Sequence, residues 1–478
     1  MKRRLTALLV MLALMASVCG VSALAEEPPK AGETGEAPQV SGESAGAEDA
    51  GETENQEDSE NPENPEDPEN PEEPEPPALA GPDLEESVAI EPDAVGQVSF
   101  ANMERRMREN NLQILTLEQS VRTLEEIDYE DLYEDLRLQL NQIAKAQWQL
   151  VLGSGALKSM EEETGQNLGY SDYEYHSAYD QLDKAYDAVR DTFESIKDGD
   201  MQRDNADVIR QLNHLQDQMV VAGEALYVAV AAMETQEAGL ARQLEALDRT
   251  VTEMELRYTL GQISAMQLSE VRAGRTSLES GLATLRMNIR NYKVQLEMMI
   301  GAEQTGEIRL GEVPEVTDAQ LEAMELETDL AAAREKSYEL YDAGKILEDA
   351  RDDYKDAGSS YAYDEERYEF RSAKYTWQAA QYTYNNTVQN YELKFRTLYA
   401  QVKDYRQIWE AAKVSLACEQ ESYAAAELKY QQGTISQNAL LTAADDLRAQ
   451  ENTVRSAAGD LFSAYNSYCW AVQHGILN

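Results

Sequence analysis

Apolar residues recur every three and four positions over long stretches of this chain. That spacing predicts long amphipathic helices packed at coiled-coil period. One seam runs Leu226, Val230, Met233, Leu240, Leu244, Leu247, Val251, Met254 and Tyr258, with Glu237 its only polar member. A second runs Leu268, Val271, Leu278, Leu282, Leu285, Ile289, Tyr292, Leu296 and Met299, interrupted by Arg275. A third runs Tyr384, Val388, Tyr391, Phe395, Leu398, Val402, Tyr405, Trp409, Ala412 and Leu416. The helix expected from about Asp364 to Tyr430 is close to 100 Å long, at roughly 1.5 Å per residue.

The pattern before these seams is less regular. Helix is expected from near Val98, through Phe100 to Val121, to about Leu152. A Gly-containing break then covers roughly 153–172, a Tyr-rich helical segment reaches Lys197, and Asp198-Gly199-Asp200 marks a second break. A loop runs from Gly301 to Val316. Thr317 with Gln320 forms a capping box that starts the next helices, which continue to about Lys355. Asp356-Ala357-Gly358-Ser359-Ser360 reads as a short turn before the longest helix.

The chain repeats itself. Glu255-Leu256-Arg257-Tyr258-Thr259-Leu260-Gly261-Gln262-Ile263-Ser264 returns 172 residues later as Glu427-Leu428-Lys429-Tyr430-Gln431-Gln432-Gly433-Thr434-Ile435-Ser436. At the same offset Tyr227 matches Tyr399, Val230 matches Val402, and Leu268 matches Leu440. Duplication on this scale fixes the architecture as two copies of one helical hairpin. Gly261 and Gly433 are placed for the left-handed backbone that closes a helix. Ser264 and Ser436 follow as N-caps, and Ser264 with Gln267 forms a capping box. The fold class is therefore all-α, with long antiparallel coiled-coil hairpins in two repeats and little or no β structure.

Composition narrows the function. The 478 residues carry a formal charge of −49, with mean hydropathy −0.58. Such acidity argues against nucleic acid and anionic membrane surfaces as partners, since both need clustered Lys and Arg. Three histidines (His176, His214 and His474) have no metal-ligand spacing. No nucleophile–base pair or Gly-rich phosphate loop is visible, so neither an enzyme nor a cofactor is expected. Cys418 and Cys469 lie on opposite arms of the second hairpin, offset by about 30 Å along its axis. That is beyond disulfide reach, so no disulfide is expected.

The N-terminus reads as a targeting segment. Lys2, Arg3 and Arg4 precede an apolar run from Leu5 to Val21, and Ala23-Leu24-Ala25 is a small-x-small cleavage site. Residues 1–25 are thus a signal peptide, with lipidation at Cys19 or retention as an anchor the alternatives. Residues 26–96 are an acidic linker rich in Pro and Glu, without the apolar content to offset chain entropy. A solvated spacer is the expected role, with calcium binding by its carboxylates the alternative. The first helical repeat covers 97–301, the inter-repeat loop 302–317, and the second repeat 318–478.

The pattern Tyr-x-x-Gly-x-Ile-Ser is followed by Val271 or Ala443 ten residues after the glycine. A long helix then ends near Gly301 or Gly475. This pattern resembles the TolC family of outer-membrane efflux proteins, and Asn110-Asn111 resembles a segment of that family's first helix. The resemblance covers roughly 98–478. It implies a homotrimer in which six hairpins close a hollow helical barrel. It also implies an entrance at Tyr258, Gly261, Ile263, Ser264, Tyr430, Gly433, Ile435 and Ser436, where a membrane-fusion adaptor docks. An ABC-type or other inner-membrane pump would supply the cargo.

Two departures stand out. The breaks near 198–203 and 356–364 are too short and too charged for a pair of spanning strands, and 153–172 has no alternating apolar run. The acidic residue often found nine positions after the turn glycine is present as Glu270 but replaced by Thr442 in the second copy. The chain is therefore expected to be exported to the cell envelope without spanning strands, its distal end closed by short polar loops. A TolC-like export conduit is the function this implies, with a barrel-less envelope scaffold or surface protein without transport activity as the alternative.

Overall fold

The computed structural model describes residues 93–169 and 171–477. The signal segment 1–25 and most of the linker 26–96 lie outside the described residues. The linker's last residues are nonetheless folded in. The Asp93 carboxylate accepts from Ser99 N at 3.1 Å and from Asn102 Nδ2 at 2.9 Å, so it holds the start of the first helix.

Eleven helices account for nearly all the described residues. The first repeat holds α1 (Phe100–Asn110), α2 (Leu112–Glu125), α3 (Tyr129–Thr164), α4 (Asp172–Lys197), α5 (Asp200–Thr259) and α6 (Ala265–Met299). The second holds α7 (Asp318–Glu322), α8 (Leu326–Lys336), α9 (Tyr338–Ser360), α10 (Tyr368–Gln431) and α11 (Gln437–His474). The strands among the described residues are β1 (Gln97–Val98) and β2 (Arg309–Leu310). They pair in parallel, with Val98 opposite Leu310. No helix among the described residues is long and apolar enough to cross a membrane.

Helices α5 (60 residues) and α10 (64 residues) are the long members of two antiparallel hairpins, α5–α6 and α10–α11. At about 1.5 Å per residue they span roughly 90 and 96 Å. The predicted seams are the packed faces. Val230, Leu282, Ile289 and Leu296 are buried in the first hairpin, and Tyr391, Phe395, Val402, Trp409 and Ala412 in the second.

Helix α11 packs on α5 as well as on α10, which sets the two hairpins side by side. Glu224 of α5 accepts from Asn466 Nδ2 at 2.8 Å and from Trp470 Nε1 at 2.7 Å. Further along, Arg249 pairs with Asp445.

Away from the tips, each return helix ends against a joint in the first helices of its own repeat. Asn111 separates α1 from α2. Its Oδ1 accepts from Gln113 N and Ile114 N, and its Nδ2 donates to Met299 O at 2.9 Å. Ser337 is the matching joint between α8 and α9, and its hydroxyl accepts from Leu340 N. Gly301 (φ 66°) lies against Asn110, and Gly475 (φ 69°) against the backbone of Lys336 and Ser337. A Cβ on either would overlap those atoms.

The loop after Gly301 is held by one carboxylate. Glu297 is buried and accepts from Thr305 Oγ1 and from the amides of Gly306, Glu307 and Ile308 at 2.7–3.1 Å. Burial opposes its charge, but these donors bring its pKa below the ordinary carboxylate value.

Three expected boundaries are corrected. The break placed at 153–172 is narrower, because α3 continues through Gly153 and Gly155 to Thr164. The turn placed at Asp356–Ser360 is helical, because α9 runs to Ser360 and the chain turns over 361–367. The left-handed residues of that turn are Ala362 (φ 53°) and Tyr363 (φ 57°). Gly358 serves a different purpose, since the Tyr363 ring lies where its Cβ would be. Last, the first repeat does not end in a short loop at 198–203. Asp198 and Gly199 form a tight joint, and the distal end carries the α3–α4 helical hairpin.

Candidate functional site: the tips and the open sides

Each tip is built by the backbone. α5 stops at Gly261 (φ 72°), with Gly261 N donating to Tyr258 O and Gln262 N reaching back to Arg257 O, both at 2.9 Å. In the second tip Gly433 (φ 69°) donates to Tyr430 O at 2.8 Å, and Thr434 N donates to Lys429 O at 2.9 Å. These paired bonds satisfy carbonyls that a helix end otherwise leaves open. Ser264 and Gln267 exchange the capping-box bonds, and Ser436 Oγ accepts from Ala439 N at 3.2 Å.

The eight predicted tip residues are thus distributed over two matched turns. The Arg249–Asp445 pair lies about 15 Å from both turns along α5 and α11, so the turns sit at the same end. Ile263 and Ile435 are half-buried. Tyr258, the last member of the first seam, and Tyr430 are 45% and 41% exposed, with Leu256, Leu260 and Leu428 more exposed still. The packed layers therefore end before the turns, and the tips present apolar side chains to solvent. Glu270 is exposed on α6, as is Thr442 on α11.

The walls of the hairpins are asymmetric. α5 is packed on two opposite sides, by α6 and by α11. α10 is packed by α11 on one side and by α8 and α9 on a flank, while the side away from α11 exposes Leu393, Thr397, Ala400, Gln407, Ala411 and Val414. α6 is packed by α5, and its far side exposes Ala273, Ser280, Thr284, Met287, Asn291 and Met298. With Asp404 included, the α10 row keeps the alternating three- and four-residue spacing of a coiled-coil seam, and the α6 row recurs at spacings of seven, four, three, four and seven residues. Asp404 is the only charged residue in register with the first row, and the second has none.

Charge on the first hairpin is also sorted between its remaining faces. Lys293–Glu234, Arg286–Glu237 and Arg275–Asp248 lie on one face. The other exposes Ala222, Ala225, Ala229, Ala232 and Gln236 of α5, with Gly274, Ser277, Gly281 and Asn288 of α6. Sequence reading missed the open rows because Thr, Ala and Asn do not register as an apolar seam. Their signal is the lack of charge at coiled-coil spacing in a strongly acidic chain.

Buried polar groups lock the base. Tyr227 donates to Gly311 O at 2.9 Å, and burial pushes its pKa up to about 12. Tyr391 donates to Ala333 O at 2.9 Å, with Gly475 O at 3.1 Å, and burial likewise raises it to about 12. Burial also raises the Glu224 carboxyl. Asp217 is opposed by burial, but His474 and Arg108 bring its pKa below the ordinary value.

No family model matches the sequence, and no curated protein does. Among solved structures the chain is similar to a Pseudomonas aeruginosa membrane protein. Identity there is 12% over 77% of this chain and 90% of that one, with a TM-score of 0.43. It is also similar to CusC, whose structures concern folding and transmembrane channel formation (13% identity, 79% of this chain and 96% of that one, TM-score 0.42). A third is VceC, an outer membrane protein of Vibrio cholerae (15% identity, 57% of this chain and 74% of that one, TM-score 0.40). At such identities and scores the likeness assigns no function, and the chain's own geometry has to supply one.

Proposed function

We propose that this chain is the conduit component of a TolC-like export system. Copies join side by side into a closed ring, three to a ring. The supporting observation is the pair of exposed coiled-coil rows on α6 and α10, in which Asp404 is the one charge. Within the chain, α11 fills the side of α5 that corresponds to the open side of α10. The α6 row of a neighbouring copy fits there in the same way, and repetition of that contact closes a tube. Such a head-to-tail contact gives a ring when the rotation closes.

The small, neutral face of α5 and α6 then becomes inner wall, which suits passage of solutes, and the ion pairs face outward. The exposed Tyr258 and Tyr430 tips form the entrance that meets a membrane-fusion adaptor, itself fed by an inner-membrane pump. Localisation is the cell envelope, after export directed by residues 1–25, with residues 26–92 as spacer.

Mass photometry of the protein at micromolar concentration tests this reading, with three copies per particle expected. Met287→Glu places a carboxylate in the α6 row and should return the particle to single copies without loss of helix content. Single copies for the unaltered chain would exclude the conduit and leave the envelope scaffold. Gly261→Val with Gly433→Val should abolish adaptor binding while assembly persists.

A further inference from the structure

Helix α9 belongs to the second repeat and packs along α10. Its first turns also reach across to α5 of the first repeat. There the Tyr338 ring stacks on His214, with centroids 4.8 Å apart and planes at 22°. Arg210 lies over the Tyr341 ring at 3.9 Å, the Tyr341 hydroxyl donates to Asp207, and Lys345 stands 3.7 Å from the same carboxylate. This small cluster ties α9 to α5.

His214 differs from the rest of the cluster. Between about pH 5 and 8 arginine, lysine and aspartate keep their charges and tyrosine stays neutral, whereas an unperturbed imidazole titrates at about 6.5. The His214 ring is half-buried between the helices. Its Nε2 lies 2.9 Å from the Gln218 amide nitrogen. A neutral ring accepts there, and a protonated ring has no acceptor to offer.

The charges around the ring are mixed. On α5, Arg210 stands one turn earlier and Asp217 about one turn later, while Glu339 and Asp342 of α9 flank Tyr338. Asp217 is engaged by Arg108 of α1 at 2.7 Å and faces His474 of α11 at 3.4 Å. Asp217 and Glu339 act on His214 through their charge and not through a hydrogen bond. Burial outweighs them and brings its pKa below the ordinary histidine value.

We propose that His214 is a proton-operated release for the joint between the two repeats. Neutral, it lies flat on Tyr338 and holds α9 to α5. Protonated, it lets α9 part from α5 while the packing of α11 on α5 persists. The far end of the second repeat is then free to move independently of the first. Both sides of the joint lie within one chain, so it operates with or without a ring of copies.

The sign follows from burial. The closed joint binds this proton more weakly than the open one, so closure is favoured above the ordinary value of about 6.5. That preference is lost as pH falls through the lower folded-state value. One proton is at stake, so two pH units across this range change the closed-to-open ratio by at most about tenfold. The attraction of an imidazolium for the Tyr338 face opposes release and keeps the change below that limit.

Hydrogen exchange of the full chain at about pH 7.5 and 5.5 tests this, read as protection factors so that the intrinsic rate divides out. Protection over 338–346 should fall about three- to tenfold at the lower pH, and that over 461–470 of α11 should not fall. His214→Phe keeps a ring against Tyr338 without a titrating group, and His214→Gln also removes the titration. Both should hold protection over 338–346 level between the two pH values, and His474→Gln should leave the fall in place. A parent chain with no fall overturns the proposal, as does a fall that survives in both His214 variants. A fall abolished by His474→Gln assigns the effect to the Asp217–His474 pair and overturns it too. An equal loss of protection in α11 would show general loosening in acid and likewise overturn it.

Discussion

At the tips the two repeats are alike. Each closes on a left-handed glycine, each reaches back with two backbone bonds, and each restarts on a serine cap. At the other end they differ: the first repeat adds the α3–α4 hairpin, and the second turns within seven residues. The base between also differs in detail. Glu297 gathers a loop after the first return helix, whereas the second ends directly on the Ser337 joint. Tip geometry is local and follows from a few adjacent residues. Base geometry depends on close approach between segments far apart in sequence.

That contrast is sharpest at glycine. Gly475 and Gly433 share φ 69°, but a Cβ at Gly475 would strike the Lys336–Ser337 backbone, and one at Gly433 meets nothing within 4 Å. Gly475→Ala should therefore cost about 2–4 kcal/mol, the sum of left-handed strain and a forced backbone shift. Gly433→Ala should cost only the strain, about 1 kcal/mol. Urea unfolding followed by circular dichroism reads both, and equal costs would break the distinction between tip and base.

Glu297→Ala should follow at about 3 kcal/mol, since it leaves the Gly306 and Ile308 amides and the Thr305 hydroxyl without an acceptor, Glu307 N keeping Thr305 Oγ1. Its lowered pKa gives a sign. The stabilisation is present above the ordinary carboxylate value and is lost as pH falls through the folded-state pKa. The variant's deficit should shrink on acidification.

Tyr391→Phe and Tyr227→Phe should each cost about 1 kcal/mol, the net worth of one buried hydroxyl bond. Thermal unfolding checks the pair, and a large inequality would show that one repeat bears more of the base.

The smallest effect is expected at Glu224, where Asn466 and Trp470 both donate to one carboxylate oxygen. Burial raises its pKa, so the folded chain holds this proton more tightly than the unfolded chain. Its contribution to stability falls as pH rises from the ordinary carboxylate value through the raised one. Glu224→Gln keeps an acceptor and removes the titration. It should melt slightly higher than the parent at pH 8, with the gap closing toward pH 4.5.

The long helices were legible because apolar spacing held for many turns, and the tips because caps and turn glycines are short-range signals. Gly153, Gly155 and Gly358 misled for a common reason. A glycine in a helix costs about 1 kcal/mol and is tolerated when packing elsewhere holds the helix. Gly358 sits where it does for the Tyr363 ring, and Ala362 and Tyr363 turn the chain without glycine. The base joints were hidden because Asn111 and Ser337 act through partners 188 and 138 residues away. Of the candidate site, the turns could be read, but the open rows could not, since their residues are small and polar rather than apolar.

Helix α11 lies between α5 and α10, and its Trp470, together with Ile476 just beyond it, completes the apolar cluster that Val98, Met103 and Met107 begin. It also supplies Leu461, Ala464 and Tyr468 to the cluster around Phe395. A helix that follows both halves in the chain is thus needed by each of them. During synthesis neither core can be completed before α11 emerges, however many helices precede it. Removal of α11 should leave two helical halves with no common core.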